Sequence, residues 1–468
     1  MSKVIAGMDW QELYSFASKQ ALLGLCFEGI ERLGKEYPEE LKQNPIGREL
    51  LMTWMGKAQQ IRRQNMKVNA VASKLFSMLR EDGMRCCVLK GQGNALMYPN
   101  PYSRTPGDID VWIDASRERI MEYAQKKFEL GDDIRLQHLE TSLDGVPVEL
   151  HFFPCSMNNP IYHVRLQKWF RRNADLQCSH IVGLPDGAGD IAIPTSSFNV
   201  VYQLTHLYHH FFDEGIGMRQ IIDYFLVVND FSKNVFLDHD LSNHPVNFSN
   251  HPVPLSKEGS TFSPSPSSMV FTPPSVPPFP GGRNLRSGDV TAPSRCSEPL
   301  RSKDGGPSKV SPDCEGWDRR GVSGDTGSVS CSSASGSSIT SVSSASTTDS
   351  SASTALDVVQ RELKYLGLWK FAGAVMYVLK EVLGLAEDKM IVPMDEKRGR
   401  LLLAEILDGG NFGRHFTKYA GFTHQSMGKK YFLKIWRNMH FVRYYPAEAL
   451  SEPIFRTWHF FWRVKNKK

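Results

Sequence analysis

The chain has 468 residues, enough for two or three domains. Its hydrophobic content of 41% and charged content of 22% are those of a globular protein with a real core. A net charge of +5 is too mild to argue for nucleic acid by itself, and eight scattered cysteines with no C-x-x-C pair exclude a zinc ribbon and a disulfide scaffold. No signal peptide is read at the N-terminus and no apolar run is long enough to span a bilayer, so a cytoplasmic protein without membrane contact is expected.

Residues 1–83 read as a helical lead-in. Asp9 is placed to cap a helix, and Trp10, Leu13, Phe16 and Ala17 recur at helical spacing. Residues 46–79 predict one long helix or two, with an apolar stripe at Val68, Val71, Ala72, Leu75, Met78 and Leu79 and a C-cap at Gly83.

The chain is organised around Arg85 to Asp114. An apolar strand, Cys86 to Leu89, runs into a glycine turn, Lys90-Gly91-Gln92-Gly93, and a short helix around 94–98. A proline-rich loop with Arg104 follows, and then a strand, Asp108-Ile109-Asp110-Val111-Trp112-Ile113. Alternation along a strand puts Asp108 and Asp110 on one face and Ile109, Val111 and Ile113 on the other. Two adjacent carboxylates repel and lose hydration, and a divalent cation is the counter-charge that chemistry offers them.

A charged helix is expected over 116–130 and a strand over 134–143. Asp144-Gly145 signals a two-residue hairpin into Val146-Pro147-Val148-Glu149-Leu150-His151. Val148 and Leu150 would face the core and Glu149 and His151 the opposite side; Pro147 suggests an edge strand or a strand start. Helices follow over 197–212 and 218–228, the second with Arg219 and Asp223 at i and i+4. His206 and His210 share a helix face, yet no glutamate stands in H-E-x-x-H register and no third ligand is evident. With His209 they are expected to line the substrate cleft or to be hydrogen-bonded within the helices.

From 243 to 353 the composition turns to Ser, Pro, Gly, Thr and Asn, which cannot bury enough apolar surface to offset ordering, so disorder is expected. Helical periodicity resumes at Thr354, and in the last helix Ser451 reads as the cap with Pro453 in the first turn.

A glycine turn after a strand, an acid-x-acid strand and a third acid on a later strand resemble the nucleotidyltransferase superfamily of the DNA polymerase β type. The wording is most similar to the uncharacterised bacterial nucleotidyltransferase-like family: Leu89-Lys90-Gly91, Arg104, Gly107-Asp108-Ile109-Asp110-Val111 and Val148-Glu149-Leu150-His151. The turn differs from the superfamily pattern in having no second small residue beside Gly91.

The resemblance implies an α+β fold: a small mixed sheet in a core over 84–195, helical subdomain parts over 196–242 and 354–468, and an insertion between them. It implies catalytic and metal-ligating roles for Asp108, Asp110 and Glu149, with Lys90, Gly91 and Arg104 contacting phosphates. The implied cofactor is Mg²⁺ or Mn²⁺, the partners a nucleoside triphosphate and an unidentified hydroxyl acceptor (small molecule, protein or RNA end), and the reaction a two-metal nucleotidyl transfer. The alternative is a degenerate fold that binds nucleotide or protein without catalysis.

Overall fold

The computed structural model describes residues 2–130, 135–234, 345–411 and 427–466. The chain divides into two units, residues 1–246 with 342–468, and residues 247–341. The segment expected to be disordered lies outside the described residues as far as 344.

The N-terminal helices are α1 (Ser2–Ala6), α2 (Trp10–Lys19), α3 (Leu23–Glu36), α4 (Pro38–Gln43) and α5 (Arg48–Glu81). Asp9 caps α2, its carboxylate accepting from the N–H groups of Gln11 and Glu12 at 2.9 Å. The expectation over 46–79 is met by one continuous helix, Arg48–Glu81, and its apolar stripe of Val68, Val71, Ala72, Leu75 and Leu79 is buried.

The sheet contains β1 (Cys86–Leu89), β2 (Ile109–Ile113), β3 (His138–Leu143) and β4 (Val146–His151) in the order β1-β2-β4-β3, with β2 and β4 parallel and the outer pairs antiparallel. Asp144 and Gly145 both take positive φ, 50° and 70°, as a two-residue type I′ hairpin requires, and this fixes the β3–β4 register. Pro147 is at a strand start and not on an edge strand: β4 is interior, and its pairing with β2 begins one residue later, at Val148. The glycine turn is shorter than expected. Lys90 alone makes it, and α6 already runs from Gly91 to Ala95.

The remaining elements are α7 (Arg117–Lys127), α8 (Pro160–Ser179), a hairpin of β5 (Ile181–Gly183) and β6 (Asp190–Ala192), α9 (Ser196–Asp213), α10 (Met218–Asn234), α11 (Ala345–Tyr365), α12 (Trp369–Leu383), α13 (Glu396–Gly409), α14 (Met427–Met439) and α15 (Pro446–Asn466). Helix α11 starts at Ala345, ahead of the expected Thr354, because an established helix extends at one hydrogen bond per residue added. Likewise α15 starts at Pro446 and not at Ser451. The Ser451 hydroxyl donates back to the Ala447 carbonyl at 2.7 Å, and Pro453 lies inside the helix.

The result is an α+β fold with two apolar layers. One face of the sheet, through Ile109, Val111, Ile113, Val148 and Leu150, packs with α5 and α7. The other face carries Cys87, Leu89 and Trp112 into the larger helical core built on α8 to α12. Trp112 stacks near-parallel on Phe198 of α9, with centroids 6.3 Å apart. Among the described residues, no helix is long and apolar enough to cross a membrane.

Candidate active site

The polar end of the second sheet face holds the chemistry. Asp110 of β2 pairs with Glu149 of β4, and Trp112 pairs with His151. Across the hairpin, His138 of β3 pairs with His151 and Glu140 with Glu149. Opposed residues share a face, so Asp110, Glu149, His151, His138 and Glu140 stand on one side of three neighbouring strands. Asp108 precedes β2 and is exposed at the edge of this group.

Lys90 lies where β1 ends, in a positive-φ conformation (53°) that is uncommon outside glycine. That bend aims its ammonium at the sheet. Nζ is 3.1 Å from Asp110 Oδ1 and donates to His206 Nε2 on α9 at 2.8 Å. The Nε2 atoms of His206 and His210 are 3.0 Å apart. His206 and His210 are thus hydrogen-bonded to one another and, through His206, to Lys90 beside the sheet.

The charges are unevenly matched. Burial opposes ionisation of Asp110, but Lys90 and a hydrogen bond from His151 outweigh it and hold the carboxyl well below the usual range. Burial likewise disfavours charge on Glu149, and His151 reverses this, so its pKa is lowered. His151 Nε2 is 3.1 Å from both Asp110 Oδ1 and Glu149 Oε2. Against the cost of burial, these two carboxylates push the imidazole up to about 9. Lys90, though desolvated, is raised by Asp110, Asp108 and Glu149 together. Asp108 goes the other way: chiefly the Asp110 carboxylate, then burial, push it up to about 6. A carboxyl that resists ionising beside another carboxylate marks a place short of positive charge. His138 is lowered to about 4 by burial and by His151, which leaves it a neutral imidazole at physiological pH.

Arg104 lies apart from this group. Its Nε and Nη2 each donate to the carboxylate of Asp223 on α10 at 2.8 Å, and the Tyr98 hydroxyl donates to the same carboxylate at 2.8 Å. Arg104 thus pairs neither with Asp108 nor with Asp110. Arg219, one turn before Asp223 on α10, interacts electrostatically with its carboxylate, and its Nη1 donates to the Thr105 carbonyl at 2.9 Å. The Arg104 carbonyl accepts from Asn65 of α5 at 2.8 Å, which ties the loop before β2 to two helices. Gly91 follows Lys90 at the start of α6 with φ 39°, and a Cβ there would sit 3.8 Å from the Asp108 carbonyl. A cavity of about 550 Å³ is lined by Lys90 together with Asn94 of α6, Asn199 of α9 and Asp230 and Lys233 of α10; Asp108, Asp110 and Glu149 do not line it.

His138 is the functional candidate that sequence reasoning missed, although the signal was present. A two-residue hairpin at Asp144-Gly145 dictates that His138 oppose His151 and Glu140 oppose Glu149.

A solved structure of an antigenic nucleotidyltransferase-like protein from Paracoccidioides brasiliensis is similar at 16% identity over 37% of this chain and 90% of that one, with a TM-score of 0.24, too low to bear on the fold. Among curated proteins, none matches the chain. A family described as uncharacterised nucleotidyltransferase matches residues 6–242, half the length of the chain, with the whole sheet and every residue of the site inside the match. On that match, the chain belongs to the uncharacterised nucleotidyltransferase family.

Proposed function

We propose that this chain transfers a nucleoside monophosphate from a nucleoside triphosphate to a hydroxyl of an acceptor, with Mg²⁺ or Mn²⁺ held at Asp108 and Asp110. The observation that carries the reading is the register of β2 on β4, which sets Asp110 beside Glu149 at the cleft edge where Asp108 is short of counter-charge. The donor set suits a hard cation, which favours carboxylate oxygens together with triphosphate oxygens. Such an ion, when bound, supplies the positive charge that offsets the phosphate oxygens during in-line displacement.

The chain's own residues have separable roles. Asp108 and Asp110 orient the triphosphate through the cation. Lys90, with the Gly91 N–H, takes the terminal phosphates, and His206 holds the lysine in place. Glu149 receives the proton as the acceptor oxygen bonds to the α-phosphorus and the bond to the pyrophosphate oxygen breaks. Arg104 acts as a positioning residue: its pair with Asp223 fixes the loop that delivers Asp108.

The test is incubation of the full chain with each nucleoside triphosphate, labelled at the α-phosphate, in Mg²⁺ and a panel of hydroxyl acceptors including the chain itself. Pyrophosphate release that Asp110→Asn abolishes supports the reading. Tight triphosphate binding with no turnover on any acceptor favours the non-catalytic alternative.

A further inference from the structure

His138, Glu149 and His151 make a set of which the chemistry above uses only Glu149. His138 and His151 come from adjacent strands and are opposed in register, with ring centroids 5.0 Å apart. One ligand atom from each of the three residues falls within a sphere where all lie within 4.8 Å of one another. His151 Nε2 is 3.1 Å from Glu149 Oε2 and 3.1 Å from Asp110 Oδ1, and His138 Nδ1 is 3.3 Å from Glu149 Oε2. Donors about 2.1 Å from one ion stand about 3.0 Å apart at right angles and about 3.4 Å apart in a tetrahedron; the His138–Glu149 and His151–Glu149 separations fall in that range, the second as a hydrogen bond that an ion would replace.

The second observation concerns His138 itself. It is 8% exposed, and neither ring nitrogen has a hydrogen-bond partner among the described residues. A buried imidazole that makes no well-formed hydrogen bond recovers only part of its lost solvation, and its nearest polar contact is the Glu149 carboxylate at 3.3 Å. Glu140 offers no relief: its carboxylate is 3.8 Å from Nε2 and is already paired with Arg135 at 2.6 Å.

We infer that His138, Glu149 and His151 bind a transition-metal ion of the zinc or cobalt class, with Asp110 at the edge of the shell. Two imidazoles and a carboxylate favour such borderline ions over Mg²⁺, which takes oxygen ligands. The inference deepens the nucleotidyltransferase reading and rests on it for its use: the ion would sit on the Glu149 side of Asp110, where the acceptor hydroxyl enters. The second metal position would then differ in kind from the one at Asp108.

The probe is Co²⁺ added to chelator-stripped full-length protein, followed by visible absorption and checked with Zn²⁺ in calorimetry. One equivalent of Co²⁺ with a ligand-field band is expected, competed by Zn²⁺ and not by millimolar Mg²⁺. His138→Ala should weaken binding at least tenfold, and His138→Gln, which preserves volume, should do the same if the alanine variant melts early. Retention of the band in both His138 variants overturns the inference, and so does its loss in His206→Ala alone, which would move the ion to the α9 histidines. Triphosphate binding measured on the same samples separates the two readings. Cobalt without triphosphate sustains this site and removes the nucleotide. Triphosphate without cobalt removes this site alone.

Discussion

Two buried charge clusters lie on either side of the loop that precedes β2, and they are built on opposite plans. Around Asp223 the carboxylate is fully engaged by cationic and hydroxyl donors. Arg104 grips the carboxylate with two nitrogens, Tyr98 donates a third hydrogen bond, and burial is relieved by direct pairing. Around Asp110 three carboxylates face Lys90 and His151, Asp108 stays reluctant to ionise, and neither His138 nitrogen makes a hydrogen bond among the described residues. A closed cluster of the first kind holds structure. An open one of the second kind leaves negative charge under-matched. Both sets of residues look alike in the sequence, as scattered acids and bases, and only partner and register tell them apart.

The comparison breaks at its strongest point if Asp110→Asn retains nucleotidyl transfer; a loss of about a hundredfold to a thousandfold in kcat/KM is expected, the scale of removing a group that stabilises transition-state charge. Next in size, Arg104→Ala should cost about 3 kcal/mol in denaturant unfolding, because it takes from the buried Asp223 carboxylate its bidentate partner and leaves only Tyr98 and the charge of Arg219 to offset burial. Truncating Arg104 and Asp223 together to leucines should recover much of that loss, which no phosphate-binding arginine would show.

Lys90→Met should weaken triphosphate binding by about 1.5–3 kcal/mol, the worth of a hydrogen bond to a charged group, read by calorimetry. Acid unfolding sharpens the contrast. The Asp223 pKa is lowered in the folded protein, although burial alone would raise it, because Arg104 outweighs burial. Its contribution to stability is therefore present above the ordinary unfolded carboxylate value of about 3.9 and lost as pH falls through the folded value. Asp223→Asn should flatten that part of the pH–stability curve. Asp108 has the opposite sign. With a folded value of about 6, its charge destabilises the protein above pH 6, and the effect fades as pH falls toward the unfolded value. The smallest expected effect is thus a gain: Asp108→Asn should raise stability at pH 7.5 by less than about 1 kcal/mol, since solvent screens this exposed carboxylate, and by nothing below about pH 4.

Local pattern made much of this legible in the sequence. Period-two alternation put Ile109, Val111, Val148 and Leu150 in the core and Asp110, Glu149 and His151 on the other face, as the sheet has them. Asp9 and Asp144-Gly145 announced a cap and a hairpin through chemistry confined to a few residues. The partner of Arg104 was not legible, because Asp223 lies 119 residues further on and a single sequence carries no sign of which distant acid it meets. The early end of the glycine turn was hidden because Lys90 takes a backbone conformation that residue type disfavours. The helix of Pro446 to Asn466 was misjudged at its start, where Ser451 and Pro453 imitate a cap and first turn while sitting inside the helix.

The most direct test of the open-cluster account is calorimetric titration of the four nucleoside triphosphates, with and without Mg²⁺, into the wild-type chain and an Asp108→Asn/Asp110→Asn double variant. Metal-dependent binding of at least one triphosphate, lost in the folded double variant, is the predicted result. No binding of any triphosphate by well-folded wild type, or binding that survives in the double variant, would contradict it.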